Sequence, residues 1–194
     1  MPDRSISLPI FPLNTVLFPG GSLPLRIFEQ RYLAMTKACL RDGTGFGVCL
    51  ISEGGEVGKP ALPTEVGCLA VIDQWEMPQL GVFHIKAHGR ERFRLLSTVV
   101  KADGLTVGEA VLLDPEPSAP VASRHLPCVE ILEQLVGKFG SAHFPEPHRF
   151  DDASWVSYRL AEILPLDLLE KQRWLVSNDA EGRLDRILDV ISRG

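Results

Sequence analysis

Through residue 113 the apolar positions come in short or alternating runs broken by Pro and Gly, the rhythm of strands. The candidates are Ile6 to Phe11, Ser22 to Ile27, Phe46 to Ile51, Glu65 to Trp75, Val82 to His88, Arg92 to Val100 and Leu105 to Leu113. In Val82 to His88 the period is two: Phe83, Ile85 and Ala87 share one face, and His84, Lys86 and His88 share the other. Such a strand is wet on one side. Gly89 sits where a turn or bulge would reset the alternation. Between the second and third strands, Glu29 to Arg41 carries Tyr32, Leu33, Thr36 and Leu40 near helical spacing, and Asp42-Gly43 is its stop signal. Many short strands with one helix predict an antiparallel β-barrel, an arrangement that removes sticky sheet edges.

Asp114 to Pro120 holds three prolines in seven residues and can continue neither a central strand nor a helix. Beyond it the apolar period lengthens to that of a helix. Val129, Leu132, Val136 and Phe139 form one stripe, Val156, Leu160, Ile163 and Leu164 a second, and Leu184, Ile187, Leu188 and Ile191 a third. Asp167 and Asn178 each stand three residues before a Glu, the spacing of a helix-capping pair, so two short helices are expected to begin there. Ser141 to Asp152, with two prolines and two histidines, reads as an exposed loop. The expected organisation is α+β: a β-rich part over residues 1–117 and a helical part over 118–194.

Composition narrows the classes. The chain has 194 residues, 45% of them hydrophobic and 23% charged, enough to bury a substantial core without metal or disulfides. No apolar stretch approaches the roughly 18 residues of a membrane span, and the opening Met1-Pro2-Asp3-Arg4-Ser5 lacks the apolar run of a secretory signal. The cysteines, Cys39, Cys49, Cys68 and Cys128, show no pattern of a secreted disulfide framework, so a reducing cytoplasm is expected. Charge is uneven: residues 1–100 hold 10 basic and 9 acidic side chains, residues 101–194 hold 10 and 16. A polyanion would be repelled by the second half, so any nucleic-acid role must rest on a local patch in the first.

Catalytic motifs are missing. No G-x-x-x-x-G-K-[ST] loop occurs, and Gly58-Lys59-Pro60 lacks an amide that a phosphate cradle would use. No G-x-S-x-G, H-E-x-x-H or C-x-x-C is present. His84 and His88 lie four apart on a strand, which separates their rings by roughly 13 Å, too far to share one ion. His143 and His148 have no Cys or carboxylate at ligand spacing. Cys39 and Cys68 lie in apolar surroundings, which favours inert buried thiols. No catalytic residue, metal or cofactor is expected.

The densest charged cluster, Lys86 to Arg94, holds four cations and one anion. Arg90, Arg92 and Arg94 can form a cationic platform for phosphate or acidic side chains. The plainer reading, in which one or two pair with Glu29 or Glu91 and the rest are solvated, is favoured, because surface charge runs usually mean solvation.

Three segments carry a resemblance. The run Leu8 to Tyr32, LPIFPLNTVLFPGGSLPLRIFEQRY, closely resembles the opening of the LON N-terminal domain, the substrate-binding part of ATP-dependent Lon proteases. Gly89 to Arg94, GRERFR, is similar to that family's mid-domain element. Leu166 to Leu175, LDLLEKQRWL, followed by Arg183-Leu184, resembles its helical end. The resemblance implies a PUA-like barrel followed by a helical bundle, with neither cofactor nor catalysis. It assigns Pro9, Phe11, Pro12, Leu13, Val16, Phe18, Pro19 and Gly20, with Phe28, to an apolar motif that shapes and seals one end of the barrel. It places Glu29, Arg31 and Arg92 in an ion-pair network joining helix to barrel, with Tyr32 beside them. A full Lon enzyme continues into ATPase and Ser-Lys protease domains, whereas this chain ends at Gly194 with neither, and so reads as a stand-alone LON domain.

The expected function is therefore a non-catalytic protein- or peptide-binding module. Its partner would be unfolded polypeptide or one specific protein, with a separate ATPase or protease as a further candidate. The alternative is an RNA-binding PUA-like protein using the Lys86 to Arg94 cluster, against which the net charge of −5 weighs. No membrane partner is expected. An uncovered apolar end would favour weak self-association.

Overall fold

The computed structural model describes residues 5–193. The chain separates into two compact units, Met1–Asp114 and Pro115–Gly194.

Among its described residues the first unit holds seven strands and one helix: β1 (Ser5–Leu13), β2 (Ser22–Ile27), α1 (Gln30–Asp42), β3 (Phe46–Glu53), β4 (Leu62–Pro63), β5 (Val66–Gln79), β6 (Val82–Val100) and β7 (Thr106–Leu112). The sheet order is β1-β7-β6-β5-β3-β4, β2 pairs with β6, and β3 pairs back with β1. The β1–β3 ladder, Ile10↔Gly47 to Leu13↔Leu50, is parallel, which corrects the expectation of an antiparallel wall throughout. A parallel pair needs a long crossover, and β2 with α1 supplies it. Strand β1 pairs with β7 over Ser5 to Ile10 and with β3 over Ile10 to Leu13, and along the β3-paired stretch Ile10 to Leu13 are buried consecutively rather than alternately.

Val82 to Val100, expected as two strands, is one. Gly89 does not break it. Its N–H donates to the Gly21 carbonyl at 2.8 Å, and its own carbonyl accepts from Gly20 N–H at 2.8 Å. A Cβ at Gly89 would stand 2.3 Å from the Phe18 carbonyl oxygen, so only glycine lets the Phe18 to Gly21 turn dock against β6. Beside it the β5–β6 register shifts: Cys68 pairs with Arg92 and Ala70 with Gly89, so the extra residue lies in β6, a bulge next to Gly89 that resets the alternation as the sequence suggested. The main core gathers Phe11, Tyr32, Leu33, Phe46, Phe83 and Ile85, while Leu8, Ile10, Cys49, Phe93 and Ala110 form a second cluster. The helix α1 stops as expected, with Gly43 in the left-handed conformation and its N–H on the Cys39 carbonyl.

The second unit is helical: a short 3-10 turn at Ser123–His125, then α2 (Leu126–Phe139), α3 (Ala153–Ile163), α4 (Leu168–Val176) and α5 (Ala180–Arg193). Helix α3 is buried along Ala153 to Ala161 and packs against α2 and α5. Asp167 caps α4, accepting from Leu169 N–H at 2.8 Å and Glu170 N–H at 3.3 Å. At α5 the expected cap moves by one residue: the Asp179 carboxylate, not Asn178, accepts from Gly182 N–H at 2.9 Å. A charged acceptor at a helix N-terminus also answers the helix dipole. The loop from Ser141 is less exposed than expected, since Phe144 and Asp152 are buried and Asp152 caps α3. Arg183 is buried over the Tyr158 ring, 4.2 Å from its centroid, and pairs with Glu116, a residue of the proline-rich segment. Among the described residues no helix is long and apolar enough to cross a membrane.

Candidate functional site

The sequence Ser-Leu-Pro-Leu-Arg-Ile of β2 alternates, so Leu23, Leu25 and Ile27 turn inward while Pro24 and Arg26 are exposed. Its ladder to β6, Ser22↔His88 to Ile27↔Phe83, is its only strand pairing among the described residues. A proline in a ladder is tolerated where its missing N–H faces away from the partner strand, which places the backbone of Pro24 toward the open edge.

Beyond β2 the chain passes Phe28 and enters α1 at Glu29. Glu29 is extended and makes no side-chain cap; its carboxylate instead meets Arg31 Nη2 at 3.0 Å. Arg31 Nη1 donates to the Gly104 carbonyl at 3.2 Å, and the guanidinium lies over the Tyr32 ring, 4.6 Å from its centroid. Tyr32 in turn stacks on Phe11, with centroids 3.9 Å apart and planes inclined by 21°. Carboxylate, guanidinium and two rings form one column, in which each member fixes the next. Burial pushes the Tyr32 hydroxyl above its ordinary pKa, with Arg31 opposing and the Glu29 and Glu56 carboxylates adding to the rise.

This column backs an open cleft of about 190 Å³. Five consecutive residues, Pro24 to Phe28, form one wall, Phe11, Leu13 and Tyr32 line the interior, and Glu56 and Val57 stand on the loop that follows β3. The loop is tied to the end of β1 by Asn14 N–H donating to Glu56 Oε1 at 2.6 Å. Phe28, 51% exposed, leaves much of its ring to solvent at the rim, and Val57 is 63% exposed. Chemically the cleft offers apolar area, aromatic faces and an unoccupied strand edge. Among the described residues no three His, Cys, Asp or Glu side chains gather where a metal ion could be held.

The residues singled out from the sequence are divided by the structure. Phe11, Pro12, Leu13 and Phe18 are buried, Pro9, Pro19 and Gly20 partly so, and Phe28 is exposed. Glu29, Arg31 and Tyr32 come together as described. Arg92 is buried, and its Nη2 donates to the Asp114 carbonyl at 3.1 Å. Arg94 is exposed and meets Glu65 at 3.6 Å, and Arg90 is exposed. His84 meets Glu76 at 3.2 Å on the surface. The four cysteines are free and buried, and burial pushes the Cys49 thiol up to about 12 and the Cys128 thiol up to about 11. Sequence reasoning missed Glu56 and Val57. They lie in a glycine-rich loop without periodicity, and the bond to Asn14 spans 42 residues, so no local signal marks them.

Comparison with known proteins supplies the family. The model of the ATP-dependent protease La (LON) substrate-binding domain matches residues 7–193. The crystal structure of a Lon N-terminal domain protein from Xanthomonas campestris is 34% identical, with a TM-score of 0.77, covering 95% of this chain and 98% of that one. The N-terminal domain of a Mycobacterium avium complex Lon protease shares the fold, with a TM-score of 0.61 at 14% identity over 95% of this chain and 97% of that one. Among curated proteins, cereblon of Xenopus tropicalis is 27% identical over 95% of this chain, and the Lon protease of Anaeromyxobacter dehalogenans is 26% identical over 98% of it. The chain spans 41% and 24% of the length of these two relatives. The matching domain is the substrate-binding one, distinct from the protease and ATPase domains, and substrate recognition is what the likeness points to. With a family match over nearly its whole length, the chain belongs to the LON substrate-binding domain family.

Proposed function

We propose that this chain is a non-catalytic polypeptide-binding module, and that the cleft between β2 and the loop carrying Glu56 receives the bound chain. The observation that carries the reading is Phe28: an aromatic side chain half exposed at the rim of a cleft whose interior is already apolar. A large apolar group left in water at a concave site is the anchor an apolar partner would cover. The return of β3 to β1 supports a closed, PUA-like barrel over residues 1–117, and the mutual packing of α2, α3 and α5 supports a helical bundle over 118–194. The four buried free thiols fit a reducing, cytoplasmic setting. Trp75, Met77 and Leu80, exposed at the hairpin between β5 and β6, support weak self-association. Delivery of the bound polypeptide to a separate ATPase or protease is part of the same proposal.

The alternative, RNA binding through the Lys86 to Arg94 segment, finds less support. Arg92 is buried and Arg94 faces Glu65, so the segment does not present its arginines as one cationic surface. The test is binding of a permanently unfolded model protein, followed by anisotropy, to the chain and to Phe28→Ala. Truncating a half-exposed rim residue should leave the circular-dichroism melt unchanged and weaken binding about tenfold. Equal binding by the two proteins would move the site elsewhere.

A further inference from the structure

We infer that the cleft takes its polypeptide as an added β-strand, paired to the open edge of β2, so that the ligand class is an extended segment with apolar side chains at every second position. This deepens the proposed function and rests on it.

Three observations lead there. The wall of the cleft is itself a strand edge: Pro24 to Ile27 belong to β2, and Phe28 continues from it. Among the described residues the strand pairs with β6 alone, and no backbone hydrogen bond reaches its other side. An unpaired strand edge is a template for a further strand, because its N–H and C=O groups lack partners and stand at fixed spacing. In an antiparallel ladder, alternate residues direct both backbone groups to the same side. Since Pro24 has no N–H to give β6, it falls in the set that faces outward, and Arg26, two residues on, falls with it. Arg26 N–H and C=O are therefore the pair on which an incoming strand would register, with Pro24 limiting the ladder at one end.

The side-chain preference follows from the pleat. Leu23, Leu25 and Ile27 face the core, and Phe11, Leu13 and Tyr32 lie on the inner side of the cleft. A strand laid along β2 would send alternate side chains toward this apolar floor and the intervening ones outward beside Arg26 and Phe28. A helical ligand would present the wrong spacing, and it would leave the strand edge unpaired.

The experiment uses the full chain and a labelled nine-residue peptide alternating Val and Thr, read by anisotropy. Two further peptides carry backbone N-methyl groups at alternate positions, in one phase or the other. Strand addition requires that one phase weaken binding about tenfold or more while the other leaves it nearly unchanged, because only one set of amides faces β2. Arg26→Pro, which removes the outward N–H without taking a donor from the β6 ladder, should weaken binding similarly while the circular-dichroism spectrum stays native. Binding indifferent to both N-methyl phases would overturn strand addition and leave the cleft as the site. Sensitivity to Phe28→Ala without sensitivity to N-methylation would assign the affinity to side-chain burial, with the same consequence. Failure of every peptide and of an unfolded model protein to bind would overturn the proposed function itself.

Discussion

Glu162, the penultimate residue of α3, has its carboxylate 2.6 Å from the Nη2 of the buried Arg159, while Lys171 Nζ donates to its backbone carbonyl at 3.3 Å. Burial raises its carboxyl pKa to about 7 from the usual 4.5, and the two cations only partly offset that rise. The folded state then holds a proton that the unfolded chain has released, so this group's contribution to stability is present below pH 4.5 and is lost as pH rises through 7. Glu162→Gln should therefore flatten the stability of the helical unit between pH 5 and pH 8. Urea melts followed by Trp155 and Trp174 in a Trp75→Phe background, where no tryptophan of the first unit remains, would measure it. A slope unchanged by the substitution would show that Glu162 titrates normally. Burial of single residues was legible in the sequence where a period exposed it, as with Phe83, Ile85 and Ala87. It was illegible where a charge is buried by a distant partner. Glu116 lies among prolines, yet it meets Arg183, 67 residues away, and nothing local distinguishes it from a solvated linker residue.

At the scale of elements, β6 shows what one residue decides. Its 19 residues run through Gly89, which the sequence marks only as a break in alternation. The turn Phe18 to Gly21 docks there through two backbone hydrogen bonds, and the segment leads directly into β2. Gly89→Ala would force a Cβ against the Phe18 carbonyl. We expect a loss of about 1–3 kcal/mol, the usual cost of overpacking, in thermal or urea unfolding. A neutral result would mean that the turn can retreat without cost. Most strands and the stop of α1 could be read from alternation, Pro and Gly. The two-residue β4 and the parallel return of β3 to β1 could not, since pairing partners are chosen by tertiary closure rather than by local pattern.

Across the whole molecule, the sequence resemblance to the LON family covers what the fold comparison and the family model independently recover. The candidate site was only half visible. Phe11 to Phe28 carry the resemblance and supply most of the cleft, whereas the opposing loop with Glu56 and Val57 carries no motif. The cleft thus joins a patterned strand to an unpatterned loop. The proposed function requires that polypeptide cover this cleft. Hydrogen–deuterium exchange of the chain, alone and with excess permanently unfolded protein, tests that most directly. Slowed exchange confined to Arg26 to Phe28 and to the Glu56–Val57 loop is the predicted result. Protection at Arg90 to Arg94 instead, or no protection anywhere in the first unit, would contradict it.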